Sequence, residues 1–337
     1  MTGSPVVVRI MRGGEVESKH HVVGVVQGLA GGAEARFGDP QLRAHWRSAM
    51  KPFQALPAVG DGALETYELG STAIALCCAS HHGTPQHVAG VREMMRRIGV
   101  SETSLACGPH PPFDEEAARS LLRGGEDPGR LHNNCSGKHV GMLALALHHG
   151  WPTDGYAELE HPVQRRIRAE LACWLDEDPE ELAWARDGCG VPTPYLSLRQ
   201  MARAYARLGE ASREESAARR VVEAMTGHPD LVGGATALST RIMQTTGGRV
   251  LAKEGAEGVF CATAPDSGWG AAVKVADGSA RAVGPAFLEL LGALRLLTEP
   301  ELASLSSLRR LPVLNTQGMA VGMVTAEVHV PRVPAGR

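Results

Sequence analysis

Residues 5–28 read PVVVRIMRGGEVESKHHVVGVVQG, two arms rich in β-branched residues about the pair Gly13-Gly14. Valine and isoleucine suit a pleated, half-buried surface, and a Gly-Gly pair between two such arms is a tight-turn signal. The stretch therefore predicts a β-hairpin at the start of the chain. From about Ser48 to about Asp230 the pattern changes to apolar residues every third or fourth position. HVAGVREMMRRIGV, DEEAARSLLRGG, KHVGMLALALHHG, HPVQRRIRAELACWL, LSLRQMARAYARLG and REESAARRVVEAMTG are the clearest helical segments. After a further helix near GGATALSTRIMQ, strands return in RVLAKEG, GVFCATAP, GAAVKVADGSARAVG and MVTAEVHV, with Asp277-Gly278 read as a hairpin turn.

Strands at both ends with helices between them predict an α+β fold, an antiparallel sheet built from N- and C-terminal strands and packed against a helical middle block. The regular βαβ alternation of a doubly wound sheet is absent. We expect a single domain over 1–337, with sheet strands in about 5–28 and 249–330 and a helical block over about 48–247. The one linker-like stretch is Thr298 to Pro312.

Composition narrows the function. Hydrophobic content of 43% and charged content of 21% are those of a globular protein, and a net charge of -3 without a basic block gives no footprint for nucleic acid. The apolar run Val6–Val8 is too short for a secretory segment, and nothing approaches the roughly 18 apolar residues needed to span a bilayer. Seven cysteines, an odd number without framework spacing, fit a reducing compartment, so a cytoplasmic location is expected.

Positive charge is written almost wholly as arginine. Of 34 Lys plus Arg residues only five are lysine: Lys19, Lys51, Lys138, Lys253 and Lys274. A guanidinium stays protonated, whereas a buried amine can be neutral and act as base or ligand. Ser48 and Lys51 in RSAMKP stand three apart, so at a helix start they share a face and the amine can activate the hydroxyl. As an isolated motif this is weak, since Ser48 also suits a helix cap. Ser80, in LCCASHHGTP, falls where a helix ends and a loop begins; there the histidines could equally interact with terminal carbonyls. Lys253 precedes Gly255 on a predicted strand. Serine hydrolases with a Ser-x-x-Lys nucleophile commonly place a second lysine so, and a cation there would favour a neutral Lys51. An exposed edge-strand lysine is the plain alternative. Cys135 and Lys138 again stand three apart, and Cys189 lies in a Gly-rich turn. These residues could help hold a borderline metal such as zinc, or be ordinary buried cysteines.

Taken together, RSAMKPFQALP, ASHHGTP, HNNCSGKH, DGCGVPTP and LAKEGAEGVF resemble, in that order and at that spacing, the asparaginase II family typified by the inducible asparaginase of rhizobia. The resemblance implies two Ser-Lys tandems, Ser48 with Lys51 and Ser80 with Lys253. It implies a zinc held by Cys135, Lys138 and Cys189 that supports rather than performs the chemistry. Arg47, Asp187 and His139 become substrate-binding positions. It further implies the fold of serine-dependent glutaminases and class A β-lactamases, a homodimer, and hydrolysis of L-asparagine to L-aspartate and ammonia through an acyl-enzyme, with Ser48 ahead of Ser80 as nucleophile. Rival readings are a glutaminase or other Ser-x-x-Lys hydrolase, or a non-catalytic amino-acid or metal-binding protein. In the last case Ser48→Ala and Lys51→Met would leave every activity unchanged.

Overall fold

In the computed structural model, residues 2–28, 34–175, 177–178 and 180–329 are described. The strands are β1 Thr2–Gly3, β2 Val6–Arg12, β3 Glu15–Gly28, β4 Glu34–Phe37, β5 Arg43–His45, β6 Trp184–Arg186, β7 Pro192–Ser197, β8 Leu251–Glu254, β9 Val259–Ala264, β10 Trp269–Val275, β11 Leu311–Leu314 and β12 Ala320–Glu327. The helices are α1 Lys51–Gly60, α2 Ala63–Thr66, α3 Ser71–Cys77, α4 Pro85–Ile98, α5 Glu115–Gly124, α6 Ser136–His148, α7 Pro162–Leu175, α8 Leu198–Ala211, α9 Ala217–Gly227, α10 Pro229–Gly233, α11 Leu238–Thr245, α12 Val283–Ala293, α13 Glu299–Ser304 and α14 Ser306–Arg309. The chain divides into two compact units: residues 1–49, 196–210 and 245–337 form one, and residues 50–195 and 211–244 the other. None of the described helices is long and apolar enough to cross a membrane.

The first unit is built on a sheet of order β11-β12-β2-β3-β10-β9-β8, with β4 pairing both β3 and β1. Each pairing along the main path is antiparallel, and the short β1–β4 pair is parallel. The expected fold class is borne out: strands from both ends of the chain interleave, with β10 from the C-terminal part lying against β3 from the N-terminal hairpin.

The pleat sorts this sheet into two faces. Residues directly opposite on paired strands point the same way, so Val273, Gly24 and Phe260 share one face. That face packs on α12, where the Phe287 ring lies 4.7 Å from Phe260 and Leu290 fills the space a side chain at Gly24 would take. Gly270, Thr263, Ala272, Cys261 and Lys253 share the other. There α8 lies so close that a Cβ on Gly270 would come within 2.1 Å of the Ala202 carbonyl oxygen. Helix α8 buries Leu198, Met201, Ala202, Tyr205, Leu208 and Gly209, the stripe that a 3.6-residue period places on one side.

Two expectations at the C-terminal end fail. Asp277-Gly278 does not join two strands: after β10 the chain turns, and SARAVG supplies a 3-10 turn, Ala280–Ala282, and the start of α12. The stretch Phe287–Leu291 beyond it, apolar except for Glu289, buries Phe287, Leu288, Leu290 and Leu291, which a helix laid on the sheet allows. The stretch Thr298–Pro312 is no linker either. Thr298 caps α13, accepting from the Glu301 N–H while the Glu301 carboxylate accepts from the Thr298 N–H. Helix α14 and the start of β11 complete the stretch. The last expected strand runs to Glu327, and Val330, its expected end, lies outside the described residues.

The second unit is helical and is centred on α6, buried from Ser136 through Ala146. A helix apolar on all sides belongs in a core, and α1, α3, α4 and α7 pack around it. In this unit β6 pairs antiparallel with β7, and the turn between them holds Cys189.

Candidate active site

Three of the five lysines are buried: Lys51 and Lys253 have no exposed surface and Lys138 has 3%. These are the three that sequence reasoning singled out, while Lys19 lies in the open. Burying an amine is costly without partners, so each marks a built environment.

In the sheet-bearing unit the segment Trp46–Ala49 is fastened to the α8 face. The Trp46 ring meets the Tyr205 ring edge-on at 6.2 Å, and the Tyr205 hydroxyl donates to the Ala49 carbonyl at 2.7 Å. Between these anchors Arg47 adopts φ +53°, a left-handed conformation that non-glycine residues rarely hold and that recurs at functional sites. Ser48 lies in the 3-10 turn Arg47–Met50, which runs directly into α1 at Lys51, as the helix-start reading requires. Lys253 projects from β8 on the same α8 face, its Nζ donating to the Glu254 carbonyl at 3.1 Å and 4.0 Å from the Glu254 carboxylate. Strand β8 is the edge of the sheet, as the plain alternative supposes, but Lys253 is buried there and not exposed. Gly255 makes room for the protein's own backbone, since a Cβ there would stand 3.0 Å from the Trp46 carbonyl oxygen.

In the helical unit Lys51 donates to the Ala79 carbonyl at 2.5 Å and lies 3.0 Å from the Ser80 hydroxyl, itself 7% exposed. The amine thus meets the hydroxyl of the second expected tandem. Ser80 comes just after α3, and its backbone N–H donates to the Val232 carbonyl at 2.8 Å. The next residue, His81, does not interact with helix-terminal carbonyls. Its buried ring points to Ser136, 2.8 Å away in the first turn of α6.

The expected metal positions also come together. Cys135 caps the start of α6, Lys138 sits in its first turn, and Cys189 lies in the turn between β6 and β7, closed by bonds from Asp187 N–H to Val191 and from Gly190 N–H to Asp187. The Lys138 amine donates to the Cys189 sulfur at 2.9 Å. The hydrogen bond from the Cys135 thiol, then the Lys138 charge, hold Cys189 well below the usual thiol range. The same bond and burial push Cys135 up to about 12. Burial opposes the Lys138 charge, but the two sulfurs and the Asp187 carboxylate outweigh it, and its proton is held more tightly than in an ordinary lysine. Two soft sulfurs and an amine converging in a buried site suit a borderline metal ion. Among the described residues no group of three or more His, Cys, Asp and Glu is arranged to hold a metal. A centre here therefore depends on Lys138 as third ligand.

His139 is fully buried, with Nδ1 2.7 Å from the Tyr156 hydroxyl, which accepts from the Ala106 N–H. Its Nε2 is buried with no hydrogen-bond partner among the described residues. Burial first, then the Lys138 charge, push its pKa down to about 3, so the ring is neutral at ordinary pH. Asp187 is half-buried and acts electrostatically on both Lys138 and His139. Sequence reasoning missed Tyr156 and Cys107, the latter a buried thiol pushed up to about 12 by burial and then by the nearby Cys135 and Cys189. Neither stands in a recognisable motif; only the contact with His139 or the sulfur pair reveals it. Two clefts of about 290 Å³ open on this unit, one lined by Leu76, Glu93 and Arg97 and the other by Pro85, Arg92 and His132, and no candidate residue lines either.

The buried Lys51 amine and the Ser80 hydroxyl thus bring a potential base and a potential nucleophile together in a mixed α/β protein. The sequence matches the L-asparaginase II family model over residues 8–326, and the chain belongs to that family, hydrolases of the L-asparaginase type. Among solved structures it is similar to a candidate beta-lactamase from Bacteroides dorei DSM 17855, at 12% identity and a TM-score of 0.37, with 86% of this chain and 94% of that one covered. No curated protein matches the sequence.

Proposed function

We propose that the chain hydrolyses the side-chain amide of L-asparagine to L-aspartate and ammonia through a serine-borne acyl-enzyme with Lys51 as the base. The observation that carries this reading is the Lys51 amine, without solvent exposure, fixed between the Ala79 carbonyl and the Ser80 hydroxyl. A hydroxyl attacks a carboxamide only when a base takes its proton, and a neutral lysine in a dry site can do so. Ser48 makes the attack: it is half-exposed, three residues before Lys51, and preceded by the strained Arg47. Its oxygen forms the ester bond, the proton passes to Lys51, and the same proton leaves with ammonia as the C–N bond breaks. Water then hydrolyses the ester. Backbone N–H groups at the helix start stabilise the oxyanion, an effect worth a few kcal/mol in comparable sites. A second reading, attack by Ser80, is favoured by one observation, the 3.0 Å contact that puts this hydroxyl within the amine's reach.

A free amino acid must be recognised at both ends. Arg47 suits the α-carboxylate and Asp187 the α-ammonium, and His139 offers the donor or acceptor of its unpartnered Nε2. Cys135, Lys138 and Cys189 would hold zinc, which would organise the pocket by fixing the start of α6 against the turn that carries Cys189. The decisive experiment traps the acyl-enzyme with asparagine and maps it by mass spectrometry, beside ammonia release from asparagine and glutamine and turnover of nitrocefin. An ester on Ser48 or Ser80 formed from asparagine is the expected result. Faster turnover of glutamine or nitrocefin, or the absence of any ester, would overturn the reading.

A further inference from the structure

His81 stands next to Ser80 and is fully buried, yet no step above uses it. The Gly83 N–H donates to its Nδ1 at 3.2 Å, so that nitrogen carries a lone pair and the ring proton is on Nε2. Nε2–H then donates to the Ser136 hydroxyl at 2.8 Å, and the Ser136 O–H donates to the Leu131 carbonyl at 3.0 Å. This assignment satisfies every group in the chain. Burial holds the ring neutral, as that tautomer requires. A second strand of the same connection is backbone: the His81 N–H donates to the Asn134 carbonyl at 3.2 Å. The loop that presents Ser80 is thus tied, through both main chain and side chain, to the two residues flanking Cys135.

We propose that His81 is a positioning residue, a hydrogen-bonded strut that couples the placement of Ser80 to the first turn of α6, which carries Cys135 and Lys138. The inference rests on the functional reading above, and it goes further by joining the hydroxyl against Lys51 to the ligand cluster. Metal occupancy and hydroxyl placement then bias one another, and such coupling is reciprocal for binding free energies. Partners hydrogen-bonded to a metal ligand typically alter metal affinity or activity by about 10- to 100-fold when removed, and a strut one residue further out belongs at the low end of that range.

The test uses the full chain and zinc itself. His81→Phe keeps a ring to stack on His87, whose centroid is 5.1 Å away, but loses both bonds, whereas His81→Gln keeps an N–H near the Nε2 position. Ser136→Ala removes the partner alone and supplies a second route should His81→Phe fold poorly. Zinc affinity is measured by competition with a chromophoric chelator, and kcat and KM for asparagine at saturating zinc. His81→Phe and Ser136→Ala should each weaken zinc about tenfold and lower kcat at least tenfold with KM little changed. Their double variant should show no more than the larger single effect, and His81→Gln should recover most of both losses. Unchanged zinc affinity in folded His81→Phe and Ser136→Ala variants, additive effects, or a parent that binds no zinc would overturn the coupling. A parent inert toward asparagine whose zinc affinity still falls in these variants would instead sink the functional reading and leave the coupling standing.

Discussion

The Lys51 amine has two oxygen partners and no water-facing side, so its replacement separates catalysis from stability. Lys51→Met keeps the length of the chain and removes the base. We expect kcat for ammonia release to fall roughly 10³-fold, with a loss in urea unfolding of only about 1–3 kcal/mol from the acceptors left without a donor. Lys51→Arg should be no better, since a guanidinium cannot give up its proton. The scarcity of lysine made this residue legible before any fold was known, as it did Lys138 and Lys253. His139 was legible only by its place beside Lys138, and its titration is hidden from the sequence altogether. Its pKa falls from 6.5 to about 3 on folding, so below about pH 6.5 the unfolded chain binds a proton that the folded chain refuses. Stability therefore falls as pH drops from 6.5 toward 3, by about 2 kcal/mol at pH 5. His139→Gln should flatten that part of the acid limb, read by urea unfolding at pH 5 and 7. An unchanged difference between the two pH values would mean that the ring protonates freely in the native state.

The placing of Ser80 beside the α6 turn is a property of two helices in steric contact. A Cβ on Gly137 would stand 2.4 Å from the Leu76 carbonyl oxygen, and one on Gly141 would stand 2.6 Å from the Cys77 sulfur. The first obstacle is backbone and the second a side chain. Gly137→Ala should cost about 3 kcal/mol by forcing α3 and α6 apart, with no side-chain change able to relieve it. Gly141→Ala should cost less and be largely rescued by Cys77→Ala, which removes the obstructing sulfur; chemical denaturation of the four variants checks both statements. Failure of the rescue would show that the helices are held apart elsewhere. None of this could be read from SGKHVG, because a glycine's neighbour three helices away in the chain leaves no trace in local pattern. Period was legible: the Gly13-Gly14 hairpin and the helices from α4 to α9 are direct consequences of it. The Asp277-Gly278 turn was misread because a dipeptide signals a turn but not the type of the next element, and that element answers to the sheet face that α12 covers.

At the scale of the whole chain, a metal would act as a ligand of the folded state, and the protonation of its donors dictates how. Without metal, Cys189 is a thiolate beside the Lys138 ammonium while Cys135 keeps its proton, as the opposite directions of the three shifts require. Zinc needs both sulfurs as thiolates and the lysine as an amine, so binding must expel a proton from Cys135 and another from Lys138. Affinity therefore rises with pH, about 100-fold per pH unit while both protons remain in place. Since a ligand of the native state stabilises it in proportion to the logarithm of its concentration over Kd, the zinc-induced rise in Tm should be larger at pH 8 than at pH 6. Calorimetry in two buffers of different ionisation enthalpy counts the protons directly, and about two per zinc are expected. Because the amine that serves the serine is Lys51 and not Lys138, chelation should raise KM for asparagine and lower kcat only in part, by no more than the roughly tenfold that loss of the His81 strut produces. Loss of turnover at saturating asparagine on chelation, or zinc binding that is indifferent to pH, would place the metal elsewhere in the mechanism or elsewhere in the molecule.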